Sequence, residues 1–284
     1  MRILRTTALL TALTLFLVIV GQYLGGRNGM VVGLGFAIVS NAFAYFFSDR
    51  IALYSSGAQP VSREQLPRLF QVMERLAAKA NIPVPKLYVV PEAAPNAFAT
   101  GRNPSHASVA VTEGLLELMN DDELEGVIAH ELSHVRNYDI LISSVAATLA
   151  GAITFLAHVG FWFGGGDRED RGRGGSGILT LLLIFLAPLG AMLLQLGLSR
   201  QREYSADETG ARMAGHPYGL ISALEKLGAY NNRIRTTAIS PTTSSLCIVK
   251  PLFARAAFAS LFSTHPPLED RIATLRELAA QGRN

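Results

Sequence analysis

Four stretches of the chain carry no Asp, Glu, Lys or Arg and are mostly apolar: Thr6 to Leu24, Met30 to Phe47, Ile140 to Phe163 and Ile178 to Ser199. A helix rising ~1.5 Å per residue needs about 20 such residues to cross ~30 Å of hydrocarbon, and buried helices of soluble proteins are rarely so long and so free of charge. The pattern predicts four transmembrane helices, the last two forming a hairpin. Between and after them the periodicity changes. Leu66, Leu69, Phe70, Met73, Leu76 and Ala77 recur at helical spacing over 62–80, with Pro67 in the first turn and Asn81 and Pro83 ending the run. Lys86 to Val90 and Ala107 to Thr112 read as strands, and Asn96 to Gly101 as a short apolar piece closed by a turn signal. The fold class expected is α+β, mostly helical, with a metal-dependent domain split by a transmembrane hairpin.

Four spans divide the chain into an N-terminal membrane unit, 1–48, a first domain part, 49–139, a hairpin, 140–199, with a Gly- and Arg-rich loop at 164–177, and a second domain part, 200–284. Parity puts both termini and both domain parts on one side. Arg2, Arg5, Arg50, Arg136, Arg200 and Arg202 flank the spans there, which predicts the cytoplasmic side of the cell inner membrane. Arg2 and Arg5 also resemble the start of a signal peptide. A clean cleavage site is missing and a second apolar run follows at once, so a retained anchor is expected. Residues 232–262 suggest no chemistry and read as an insertion packed by Leu252, Phe253, Phe258 and Phe262.

Composition agrees with a membrane chain. Hydrophobic residues make up 49% of the 284 positions and charged ones only 17%, against about 25% in average soluble domains. One cysteine, Cys247, excludes an internal disulfide, and a net charge of +3 is too small to argue for nucleic acid.

The sharpest signal is His130-Glu131-Leu132-Ser133-His134, an H-E-x-x-H pattern in a chain with six histidines. Asn120 supplies a helix cap and Asp121, Asp122 and Glu123 an acidic first turn. On that helix His130 and His134 lie one turn apart and can share a metal ion, while Glu131 can reach a metal-bound water as general base without being a ligand. A catalytic zinc site has three protein ligands. Candidates for the third are Glu203, Asp207, Glu208, His216 and His265. Glu203 and Asp207 are one turn apart where the fourth apolar run emerges; Glu203 is the expected ligand and Asp207 the carboxylate that orients a ligating histidine. His265, in a stiff Thr264-His265-Pro266-Pro267 turn, is a candidate oxyanion donor, with Tyr204 a weaker one.

The order of these features resembles the HtpX-type membrane zinc metalloproteases, gluzincins related to the CAAX prenyl protease. The resemblance rests on the two N-terminal spans, Asn96 to Gly101 with Arg102-Asn103-Pro104, the H-E-x-x-H helix continuing to Asn137 and Asp139, the hairpin, Glu203-Tyr204-Ser205-Ala206-Asp207, and Thr264 through Ile272. It implies one Zn2+ held by His130, His134 and Glu203, with Glu131 as base. It also implies degradation of misfolded or damaged membrane proteins, the substrate pairing as an extra strand along Asn96, Ala97, Phe98, Ala99 and Thr100. Competing classes are a membrane scaffold or chaperone with structural zinc, a transporter, and a dedicated prenyl-protein processing peptidase. Structural zinc sites favour four, often cysteine, ligands, and the apolar runs hold no acidic or basic residue to line an ion path. Oligomeric state is not legible.

Overall fold

A computed structural model describes residues 2–145, 200–233 and 267–282. Most of the two later apolar runs, the 164–177 loop, His265 and most of the 232–262 segment lie outside the described residues. Helix α1 (Arg2–Ser55) folds back on itself at Gly25 and Gly26; Gly26 has φ +58°, open to a residue without Cβ. The two arms touch through glycine, since a Cβ on Gly21 would lie 2.2 Å from the Gly29 carbonyl oxygen. Asn41 Nδ2 ties them by donating to Thr14 Oγ1 (2.8 Å) and to the Leu10 carbonyl (3.2 Å). The stretch Gly25–Ser55 is long and apolar enough to cross a membrane, and Val31, Val32, Phe36, Ile38 and Val39 on it are exposed. The helix does not stop with the apolar run at Phe47. It continues through Asp49 and Arg50 to Ser55, so the apolar arm enters the domain without a joint.

The domain begins with β1 (Gln59–Pro60), α2 (Pro67–Ala80), β2 (Lys86–Val90), β3 (Ala97–Gly101), a short 3-10 turn (Pro104–His106) and β4 (Ala107–Thr112). The strands form one sheet in the order β1-β2-β4-β3. β2 and β4 run parallel, while β1 against β2 and β3 against β4 are antiparallel. Within the Asn96 to Gly101 piece, Ala97–Gly101 is therefore a strand, the last of its sheet among the described residues. Side chains alternate between two covered faces. Leu87, Ala97, Ala99, Val109 and Val111 enter the main core with Met73 and Leu76, whereas Val90, Phe98 and Ala110 pack on Ala52 and Leu53 at the end of α1.

Helix α3 (Glu113–Leu118) leads to α4 (Asp121–Arg136), which starts with the predicted cap. Asn120 Oδ1 accepts from the Glu123 amide and Glu123 Oε2 from the Asn120 amide, a reciprocal capping box. α4 is buried on the main core through Val127, Ile128, Leu132 and Val135. Helices α5 (Arg200–Ala214) and α6 (Tyr218–Arg233) pack on it, and α7 (Leu268–Ala280) packs on those two. Two crossings are close because glycines line them. A Cβ on Gly126 of α4 would lie 2.4 Å from the Leu220 amide nitrogen of α6, and one on Gly210 of α5 would lie 3.0 Å from the His130 amide nitrogen. The second contact seats α5 directly on the His130 turn.

α4 does not run unbroken into the next helix, as a continuous path to the third apolar run would require. It ends at Arg136; Tyr138 takes φ +60°, and a new helix starts at Asp139 and runs to 145, the last residue described there.

Candidate metal centre

His130 and His134 project from one face of α4, as their i, i+4 spacing demands, with their Nε2 atoms 3.3 Å apart. Glu203, one turn into α5, points its carboxylate between them: Oε2 lies 3.6 Å from His130 Nε2 and Oε1 3.6 Å from His134 Nε2. These separations can be tested against a metal. Tetrahedral ligands about 2.1 Å from a zinc-sized ion stand about 3.4 Å from one another. The two Nε2 atoms already stand at about that separation, each has a Glu203 oxygen 3.6 Å away, and one ligand atom from each of the three residues falls within 4.8 Å of the others.

The far side of each ring is held by a carboxylate. His130 Nδ1 lies 2.8 Å from Asp207 Oδ1, so the ring carries its proton there and turns the Nε2 lone pair toward Glu203. Asp207 leaves the same face of α5 one turn after Glu203. Its two oxygens also accept from Arg271 Nη2 (2.6 Å) and Nε (2.8 Å), and Arg271, in the first turn of α7, is wholly buried. His134 Nδ1 faces Asp139 Oδ2 at 3.5 Å, and Asp139 Oδ1 lies 3.9 Å from Arg202 Nη1. The turn at Tyr138 brings Asp139 back beside the ring.

The electrostatics follow from burial with incomplete compensation. Burial alone would lower the proton affinity of His130, but hydrogen bonding to Asp207 and Glu203 outweighs it and raises the pKa to about 9. Burial would raise the Asp207 pKa, yet the Arg271 charge and its hydrogen bonds hold that carboxyl below its usual range. Glu131, His130, Glu203, Asp207 and Asp139 are all buried. With both histidines neutral, as metal ligation requires, the carboxylates of Glu131, Glu203, Asp207 and Asp139 outnumber the guanidiniums of Arg271 and Arg202 by two negative charges, which a divalent cation would neutralise.

Among the other candidates for the third ligand, Glu208 is turned to solvent and pairs with Arg212 on its own helix, and His216 is exposed and stacked on Tyr218. His265 lies outside the described residues. Two partners escape the reading of the sequence as site residues. Arg271 could have been found, since it falls between Leu268 and Leu275 on the inward face of α7, where a charge is out of place without a partner. Asp139 carries no such signal, because its position depends on the positive φ of Tyr138.

Against known proteins, the model of peptidase family M48 matches residues 63–279, which takes in every residue of this centre. The chain belongs to peptidase family M48. A protease HtpX homolog of Desulfatibacillum aliphaticivorans is 53% identical over 276 residues, covering 95% of this chain and 88% of the relative. One of Campylobacter curvus is 45% identical with both chains covered in full. The crystal structure of S. mikatae Ste24p has the same fold at 18% identity, with a TM-score of 0.53 over 92% of this chain and 61% of that one. This M48 chain is a metallopeptidase with the residues to hold a metal at the His130–His134–Glu203 cluster.

Proposed function

We propose that the chain is a zinc-dependent endopeptidase of the membrane surface, cutting misfolded or damaged membrane proteins. The observation that carries this reading is the convergence of His130 Nε2 and His134 Nε2, 3.3 Å apart, with a Glu203 carboxylate oxygen 3.6 Å from each. Two imidazoles and a carboxylate suit zinc, and three protein donors leave a fourth position for water. Bound there, zinc would acidify water and polarise the scissile carbonyl.

The chain's own residues do the rest. The Glu131 carboxylate, one position round α4 from His130, accepts the proton of the attacking water and returns it to the leaving nitrogen. Asp207 and Asp139 fix the rings of His130 and His134 through their Nδ1 atoms, so the Nε2 lone pairs stay aimed inward. His265 donates to the developing substrate oxyanion. The substrate enters extended, as a strand added along Asn96 to Thr100. β3 is the last strand of its sheet among the described residues and packs against α4. Recognition through backbone hydrogen bonds suits a protease that must accept many sequences.

In this reading the four apolar runs anchor the chain and the centre lies at the bilayer. Four spans with the 140–199 hairpin between the two domain parts (49–139 and 200–284) put the active site and both termini on the cytoplasmic face of the inner membrane. The helical entry of α1 into the sheet, through Ala52 and Leu53, supports a protease body held close to the lipid.

The test is cleavage of an unfolded membrane protein by the full chain, purified in detergent and loaded with zinc. Glu131→Gln should keep stoichiometric zinc and lose roughly 10²–10⁴-fold or more in turnover. Full activity in that variant overturns the reading.

A further inference from the structure

The ladder between β3 and β4 fixes which backbone groups of β3 face outward. The Thr112 amide donates to the Asn96 carbonyl (2.9 Å), so Asn96 and Thr112 are a hydrogen-bonded pair. With Phe98 opposite Ala110 and Thr100 opposite Ser108, the alternation turns the N–H and C=O groups of Asn96, Phe98 and Thr100 toward β4. Those of Ala97, Ala99 and Gly101 point to the edge that no other described strand covers.

The third of these positions is occupied. Ser144, in the helix that starts at Asp139, accepts from the Gly101 amide through Oγ at 3.4 Å. The same hydroxyl lies 2.7 Å from Thr100 Oγ1, and Ser144 and Thr100 are both fully buried. The helix itself is fixed, because Ile142 and Val145 pack on Ala44 of α1. Gly101 cannot move aside either. Its φ is +140°, and a Cβ there would lie 2.2 Å from the His106 carbonyl oxygen.

We propose that Ser144 is a register stop for the substrate strand. It closes the Gly101 end of the edge, so a peptide can pair only at Ala97 and Ala99, and this fixes which peptide bond reaches the metal. Ser144 touches no reacting atom; it is a positioning residue, acting through the strand that binds. A hydroxyl here also makes the register depend on the seating of the helix after α4, which joins substrate alignment to the membrane-directed segment. The inference rests on the strand-addition reading of the proposed function.

Two measurements test it. On the wild-type full chain, a defined extended peptide is N-methylated at one position at a time. Loss of cleavage is expected at two positions two residues apart, with no loss at the third outward position beyond them, which would pair with Gly101. A third sensitive position overturns the register stop. Insensitivity at every position instead overturns strand addition itself, so the two failures are distinct. Second, Ser144→Ala frees the Gly101 amide. New cleavage products offset by two residues should appear on the same peptide at the expense of cleavage at the original bond, and Ser144→Thr, which keeps the hydroxyl, should restore the single site. A zinc-loaded Ser144→Ala protein that still cuts only at the original bond overturns the proposal.

Discussion

Arg271 grips Asp207 through both carboxylate oxygens, Nη2 2.6 Å from Oδ1 and Nε 2.8 Å from Oδ2, with neither side chain reaching solvent. A buried charge pair of this kind is weak evidence for net stability, but removing one partner strands the other. In this chain the pair sits behind His130, so it also fixes the ring that faces Glu203.

Arg271→Met should therefore destabilise the fold by roughly 3–5 kcal/mol, the usual cost of leaving a buried charge alone. The cost should be larger after chelation than with zinc bound, since a cation beside Glu203 and His130 would offset part of the stranded negative charge. Thermal unfolding with and without chelator measures both. An Arg271→Met protein that unfolds at the wild-type temperature in chelator would remove the structural role.

Glu203 and Glu208 separate ligand from bystander on one helix. Glu203→Ala should lose most bound zinc, because two imidazoles alone leave the site a donor short. Glu208→Ala removes only an exposed pair with Arg212, worth about 0.3–0.5 kcal/mol, and should keep full zinc stoichiometry. Metal analysis of the two purified variants decides the matter; equal zinc in both would move the third ligand elsewhere.

Much of this centre is readable from one chain because its chemistry is local. His130 and His134 are a one-turn pair on a helix whose cap and apolar periodicity are plain, so spacing places both; Glu203 and Asp207 are a second one-turn pair, which spacing alone leaves beside Glu208, His216 and His265 as candidates. Strand β2 shows by its apolar run between Pro85 and Pro91, and β4 by its alternation. What stays hidden depends on long-range pairing. β3 is five residues, mostly small, whose strand state comes from register with β4, six to fourteen residues on. Arg271 joins the site only through the packing of α7, and Asp139 through a left-handed tyrosine that no propensity favours.

The cap of α4 predicts a pH dependence away from the metal. Glu123 is buried and bonded to the Asn120 amide, Ser222 Oγ (2.6 Å) and Lys226 Nζ (2.7 Å). Burial alone would raise its pKa, but these partners prevail and hold it below the usual 4.5. A carboxyl whose folded pKa lies below its unfolded one adds stability that is full above about pH 4.5 and is lost as the pH falls through the folded value. Wild-type stability should drop across that acid window. Glu123→Gln should be less stable at neutral pH by about 1–3 kcal/mol and show a flatter acid limb. Denaturant unfolding at a series of pH values reads this out, and parallel curves for the two proteins would contradict it.

The glycine crossings set how closely the metal-bearing helices meet. At Gly126 a methyl would meet the Leu220 backbone nitrogen at 2.4 Å, which no rotamer can relieve. Gly126→Ala should therefore lower stability by about 1–3 kcal/mol even though alanine is the better helix former by about 1 kcal/mol. At Gly210 the nearest atom, the His130 amide nitrogen, is 3.0 Å away, so α5 has only a few tenths of an ångström to yield. There the gain in helix propensity and the strain nearly cancel, and Gly210→Ala should leave the unfolding temperature close to wild type. Its effect should appear instead in metal affinity, because α5 carries Glu203 and Asp207 away from His130 as it shifts. Chelator competition on the folded variant measures that loss, and wild-type zinc affinity in Gly210→Ala would show that the seat of α5 on the His130 turn does not set the ligand spacing.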